Sequence, residues 1–166
     1  MEILSECITS INNSSYKLFE IIVVDNKSTD GSQEWVKQKH PNITLLENDK
    51  NYGYAGGCNR GVSIAKGEYV VFLNNDTIQD SYWLEPLINL FEKDIHVAAV
   101  QPKILNYYNK NTFDYAGACG GQMDIFCYPF ARGRIFLEQE KDTGQYENSS
   151  ECFWASGAAF MIRKEV

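Results

Sequence analysis

The chain has 166 residues, 44% of them hydrophobic, which is enough to close one domain around a core. Its 22 acidic and 15 basic side chains give a net charge of −7 with no basic run, and this excludes the electrostatic footprint of a nucleic-acid binder. Five cysteines without a C-x-x-C pair and only two histidines, His40 and His96, give no zinc-type spacing, and no apolar stretch reaches membrane-spanning length.

In MEILSECITSI, Ile3, Leu4, Cys7, Ile8 and Ile11 recur at helical spacing with Glu2, Glu6 and Ser10 opposite, so the chain is expected to open on an amphipathic helix. Asn12 to Tyr16 reads as a polar turn. Phe19 to Val24 (FEIIVV) is a continuous apolar run that predicts a strand buried on both faces and tipped by Asp25 and Asn26. KSTDGS then offers Asp30 or a neighbouring Ser or Thr as cap for a helix over 31–40, which Pro41 stops.

Ile43 to Glu47 predicts another short strand, and NDKNYGYAGGCNRG a loop running into a helix. Gly53, Gly56, Gly57 and Gly61 allow close approach of a ligand or a neighbouring element. Ala55, Cys58, Val62 and Ala65 are expected on the inner face of that helix, and Gly67 at its end. Val70 to Leu73 predicts a central strand, buried on both faces, that stops abruptly at Asn74, Asn75 and Asp76. A helix over 82–93 with the stripe Leu84, Leu87, Ile88 and Phe91 follows, then a strand at Val97 to Val100. This alternation predicts an α/β fold with a mostly parallel sheet.

After Pro102 the pattern becomes β-rich. Short strands are expected at 103–108, 113–118, 133–137 and 153–162, with a polar loop over 142–151. The run Ser156-Gly157-Ala158-Ala159 fits either close approach of a ligand or a tight strand crossing. No linker divides the chain. The odd number of thiols and the lack of a signal peptide lead to an expectation of reduced cysteines in the cytoplasm, with a Cys119–Cys127 or Cys127–Cys152 bridge as the alternative.

The Asn74-Asn75-Asp76 tip carries the chemistry. Ligands of open α/β sheets bind at the carboxyl ends of strands, and a carboxylate flanked by amides can hold a hard divalent cation with the phosphate oxygens it bridges. An isolated NNDT is more often an ordinary turn. The weight comes from three separated elements in order: EIIVVDNKSTDGS, NYGYAGGCNRG and GEYVVFLNNDT.

Together, and with the later SGAAFMIRKEV, these elements resemble the family 2 glycosyltransferases, and most of all bacterial rhamnosyltransferase-like and polysaccharide glycosyltransferases. The resemblance spans almost the whole chain. It implies a GT-A fold, Rossmann-like, with helices flanking the sheet, in a single partial domain over 1–166. Residues 1–101 would form the nucleotide-sugar half and 102–166 the acceptor half.

The implied activity is inverting transfer of a hexosyl or deoxyhexosyl unit from a nucleotide diphosphate sugar to an acceptor hydroxyl, with a glycan or lipid-linked glycan as acceptor. The implied location is the inner face of the membrane. By the same resemblance Asp25 and Asn26 contact the base or ribose, and Asn51, Gly53, Ala55, Gly56 and Asn59 pack around the nucleotide. Arg60 serves either the phosphates or the surface. Asn74, Asn75 and Asp76 align with the family's D-x-D element, and Asp76, its one retained carboxylate, would hold Mg2+ or Mn2+. Asn74 in place of the first Asp supplies an oxygen without a charge, so cation affinity should lean on the diphosphate.

Relatives open on a further strand and carry their general base in an acidic motif after the last strand. The resemblance therefore implies truncation at both ends and a base beyond Val166. The alternative is a nucleotide-sugar-binding fragment without turnover. Asp114 and Asp124 fall on the acceptor side and read as turn or solvent carboxylates. A dinucleotide-dependent oxidoreductase fits poorly, because no G-x-G-x-x-G follows a strand end.

Overall fold

The computed structural model describes residues 1–165; the final residue of the 102–166 half, Val166, lies outside them. Helix α1 (Glu2–Asn12) leads to β1 (Ile22–Asp25), α2 (Ser32–Lys39), β2 (Thr44–Glu47), α3 (Gly53–Ile64), β3 (Tyr69–Leu73), α4 (Leu84–Lys93) and β4 (Ala99–Val100). The second half is built of short strands: β5 (Gly121–Met123), β6 (Pro129–Ala131), β7 (Arg134–Ile135), β8 (Glu138–Gln139) and β9 (Ala159–Arg163). Among the described residues no helix is long and apolar enough to cross a membrane.

Strands β1 and β2 pair in parallel, from Ile22 opposite Thr44 to Asp25 opposite Glu47. The last strand, β9, inserts antiparallel between β3 and β4, so β3 and β4 keep a common direction. Hairpins β5–β6 and β7–β8 form separate ribbons. Of the strands expected at 103–108 and 113–118, only an isolated Leu105–Phe113 bridge forms. The strand expected over 153–162 begins at Ala159.

The main core lies between α4 and the β3–β9–β4 sheet. Leu84, Leu87, Phe91, Val100 and Met161 are buried there, and Phe91 stacks on Tyr69 at 4.8 Å between ring centroids. Ile88 packs beside them, so the expected stripe of α4 is the one that faces the sheet. A smaller cluster of Phe113, Ala118 and Cys119 centres the second half. All five cysteines carry free thiols.

Several local expectations are corrected. Ser10, placed on the polar face of α1, is buried and bonds the Cys7 carbonyl and the Gln79 side chain, whereas Ile3 is exposed. In α3 the buried position is Gly57 rather than Ala55, and the helix ends at Ile64, short of Gly67. The strand tipped by Asp25 begins at Ile22, and Phe19 instead packs against the main core. The apolar residues of β1 and β3 are all half-buried, not buried on both faces. Among the described residues β1 pairs only with β2 and β3 only with β9, so the second edge of each strand has no ladder partner.

Phe91→Ala removes the most enclosed aromatic ring of the main core. We expect it to lower unfolding free energy by about 3–5 kcal/mol, read from urea denaturation; a loss below ~1 kcal/mol would show that this core does not carry the fold.

Candidate functional site at the strand tips

Asp25 ends β1 as a buried residue, 6% exposed. One of its carboxylate oxygens accepts the backbone N–H groups of Lys27 (2.9 Å) and Ser28 (3.1 Å) and the side-chain amide of Gln33 (2.5 Å). Lys27 is left-handed, with φ 65°, so the carboxylate stabilises a sharp turn directly after the strand. Burial alone would raise the Asp25 pKa, but the bonds from Ser28, Gln33 and Lys27 outweigh it and hold the carboxyl below its ordinary value. The Asp25 carbonyl also accepts the Asn48 N–H at 2.9 Å, which ties the ends of β1 and β2 together.

The Asn26 side chain donates to the Gly53 carbonyl at 3.0 Å and accepts from the buried Asn48 amide at 2.8 Å. Arg60 donates to the other end of Asn48 at 2.5 Å, and its guanidinium lies 4.7 Å from the centre of the Tyr52 ring. These contacts need the start of α3 close to β1. A Cβ on Gly57 would stand 2.9 Å from the Asn26 amide nitrogen, and one on Gly61 would stand 2.9 Å from Val24. Gly53 has φ 70° and donates its N–H to Asn51 at 2.8 Å, which fixes the entry into the helix. Gly56 sits under Tyr52, while Ala55 and Asn59 are exposed.

The second tip is held from two sides. Asn74 donates its N–H to the Ala158 carbonyl at 2.9 Å, and the Asn74 carbonyl accepts from Thr77 at 2.8 Å and from the Cys7 thiol at 3.7 Å. Asn75 and Asp76 are exposed, and among the described residues neither side chain has a hydrogen-bond partner. The Asp76 carboxylate is therefore free to take a cation. No group of three acids, histidines or cysteines gathers among the described residues, so the other ligands of such a cation would be water or substrate oxygens.

Tyr54 joins the two tips. It follows Gly53, which accepts from Asn26, and its hydroxyl donates at 2.5 Å to the carbonyl of Gly157, the neighbour of Ala158. Desolvation, with Cys58 adding to it, pushes the phenol up to about 12, so the hydroxyl stays a donor through the neutral range. The turn behind it is clamped as well: Ser156 is buried, and it donates its hydroxyl to the Ala116 carbonyl at 2.8 Å and its backbone N–H to the Gln101 side-chain oxygen at 2.6 Å. Hydrogen bonds and short runs of chain thus connect Asn26 and Gly53, through Tyr54, Gly157 and Ala158, to the backbone of Asn74. Sequence reasoning passed over Tyr54, Asn48 and Gln101. Tyr54 lies inside the quoted NYGYAGG, but its partner is 103 residues away and no local spacing announces it. Asp114 and Asp124 serve as turn carboxylates, accepting from Ala116 and from Phe126 and Tyr128 respectively.

The sequence profile of glycosyl transferase family 2 matches residues 2–166. The chain belongs to that family. It is 35% identical to glycosyltransferase GlyG of Streptococcus pneumoniae over 165 residues, which cover 96% of this chain and 50% of GlyG. It is 32% identical over 122 residues to the UDP-Glc:α-D-GlcNAc-diphosphoundecaprenol β-1,3-glucosyltransferase WfaP of Escherichia coli, covering 71% of this chain and 46% of that protein. Among solved structures, the mannosyltransferase PcManGT of Pyrobaculum calidifontis, in complex with GDP-Man and Mn2+, superposes with a TM-score of 0.57 at 26% identity. The match covers 63% of this chain and 32% of that one. The glycosyltransferase domain therefore has the GT-A fold, and it spans half or less of the length of these relatives.

Asp25→Asn places an amide against backbone donors, and we expect it to lower stability by roughly 1–3 kcal/mol at pH 7. Because the folded carboxyl titrates below its ordinary 3.8, the deficit should be full above that value and shrink as pH falls through the lowered one. Urea titrations at pH 7 and at pH 2.5 check this; an equal deficit at both would remove the carboxylate from the turn's stability.

Proposed function

We propose that this domain moves a hexosyl or deoxyhexosyl unit from a nucleotide diphosphate sugar to an acceptor hydroxyl, with inversion, in glycan or polysaccharide synthesis. The observation that supports the reading is the path of hydrogen bonds from Asn26 through Gly53, Tyr54 and Gly157 to the Asn74 backbone, two residues before the exposed Asp76 carboxylate.

Asn26, Asn51, Gly53 and Gly56 would line the nucleoside, with Ala55 and Asn59 on the exposed side of α3. Asp25 would act there by holding the 26–28 backbone in shape, since its carboxylate is already bonded within the turn. Asn74 and Asn75 would offer amides to the phosphates, and Asp76 would hold Mg2+ or Mn2+. Such a cation would neutralise the leaving diphosphate. Transfer with inversion forms a bond from the acceptor oxygen to the anomeric carbon as the bond to the diphosphate breaks, and the acceptor proton passes to a general base. Asp114 and Asp124 are engaged in turns, so that base is assigned to neither.

In this reading residues 1–101 bind the donor and 102–166 face the acceptor. PcManGT was solved with GDP-Man and Mn2+, and WfaP carries UDP-Glc and a diphosphoundecaprenol acceptor in its name; both support a nucleotide-sugar donor, and the second supports a lipid-linked acceptor. A domain that binds the donor without turnover is the second reading; the turn roles of Asp114 and Asp124 do not distinguish it from the first.

Isothermal titration with UDP and GDP, with and without MnCl2, tests the donor site. We expect Mn2+-dependent binding that Asp76→Ala weakens at least ~10-fold, about 1.4 kcal/mol, with little change in melting temperature. Unaltered affinity in the variant would remove the metal assignment. Binding heat without hydrolysis or transfer of a donor sugar would favour the second reading.

A further inference from the structure

The turn that carries Asp76 is closed by a side chain. Asn75 and Asp76 occupy its two middle positions, and among the described residues no backbone hydrogen bond spans it from Asn74 to Thr77. The Thr77 hydroxyl bridges it instead, donating to the Asn74 carbonyl at 2.8 Å. That hydroxyl is oriented from behind: its oxygen accepts the Gln79 side-chain N–H at 2.8 Å, which leaves its proton for Asn74. Gln79 is gripped in turn by Ser10 of α1, whose hydroxyl donates to the Gln79 side-chain oxygen at 2.7 Å and accepts the Gln79 backbone N–H at 3.1 Å. The Cys7 thiol, also on α1, adds a second and longer bond to the Asn74 carbonyl at 3.7 Å.

The bonds form one chain, from the Ser10 hydroxyl through the Gln79 amide and the Thr77 hydroxyl to the backbone two residues before Asp76. Ser10 is buried, and hydrogen bonds shielded from water are the stronger ones, so the chain has a firm inner anchor although Asn75 and Asp76 lie in solvent. No group of three acids, histidines or cysteines gathers at the tip among the described residues, so a cation there depends on how well one carboxylate is placed. A carboxylate on a loose turn must be ordered as the cation arrives, and that ordering subtracts from affinity. We propose that Ser10 and Gln79 are positioning residues for the Asp76 carboxylate: acting through Thr77, they hold the 74–77 turn in the shape that presents Asp76 to a divalent cation, so that helix α1 tunes cation affinity without touching the cation. The inference rests on the transferase reading above, in which Asp76 takes the cation, and adds the residues that set its place. A joint that served only to pack α1 against the sheet would change stability and leave the cation requirement alone.

The test is the MnCl2 concentration that half-restores UDP or GDP binding, read by isothermal titration on the whole chain. Thr77→Val keeps the shape of the side chain and removes the hydroxyl that closes the turn. Gln79→Glu keeps the length and sets an acceptor against the Thr77 oxygen, so the Thr77 hydroxyl turns to the new carboxylate and leaves Asn74. Each should raise the MnCl2 requirement about 10-fold, the lower end of what removing a group behind a metal ligand does. Thr77→Ser keeps the hydroxyl and should stay within about twofold of the parent. The added charge of Gln79→Glu would by itself attract the cation and lower the requirement, so a rise in that variant reports position and not charge. Heteronuclear NOE values on the metal-free, 15N-labelled chains should fall at Asn75 and Asp76 in Thr77→Val and Gln79→Glu and hold in Thr77→Ser. A requirement within twofold of the parent in Thr77→Val, one that stays level or falls in Gln79→Glu, or equal impairment in Thr77→Ser would overturn the inference. If the parent chain itself bound neither nucleotide with Mn2+, the transferase reading would fall and take this inference with it; if the parent bound and the variants matched it, only the positioning role would.

Discussion

Three hydrogen bonds keep the working end of this domain together: Asn26 to the Gly53 carbonyl, Tyr54 to the Gly157 carbonyl, and Asn74 to the Ala158 carbonyl. Each joins segments far apart in the chain, and each ends on a backbone carbonyl. No ladder joins the β1–β2 pair to the β3–β9–β4 sheet among the described residues, so the Tyr54 bond at the strand tips, and the bond from the Lys66 N–H to the Glu20 carboxylate at the opposite ends, relate the two. The glycines of α3 belong to the same device. Gly57 and Gly61 let the helix lie on Asn26 and Val24 at distances that a methyl group would violate, and this brings Gly53 and Tyr54 within reach of their partners.

The device leaves two carboxylates with different tasks. Asp25 is buried and fully engaged in the turn after β1, so it shapes backbone. Asp76 is exposed and without a hydrogen-bond partner among the described residues, so it is available to a ligand.

Much of this was legible in the residues. The stripe of α4, the parallel β1–β2 pair with Asp25 at its end, and the abrupt stop of β3 at Asn74 all follow from local periodicity and composition. What local pattern could not supply was anything decided across the chain. Ser10 looks like surface by helical phase, but Gln79 supplies a partner that makes its burial favourable. Ala55 looks like an inner-face residue, but the close approach of α3 to β1 gives that face to glycines. The antiparallel insertion of β9 between β3 and β4 depends on a pairing of Leu73 with Ala159 that no hydrophobic count discloses. In the second half, glycines and aromatics mark turns without fixing register, which is why β5, β6 and β8 were not separable from loop.

The account stands on both strand tips facing one ligand. Paramagnetic broadening measures that directly: a 15N-labelled sample is titrated with a nucleoside diphosphate and substoichiometric Mn2+, and the backbone amides are followed by residue. The account predicts that Gly53, Tyr54, Asn74 to Asp76 and Gly157 broaden together, while the α4 amides and the β7–β8 ribbon stay sharp. Broadening confined to one tip, or centred away from both, would contradict it.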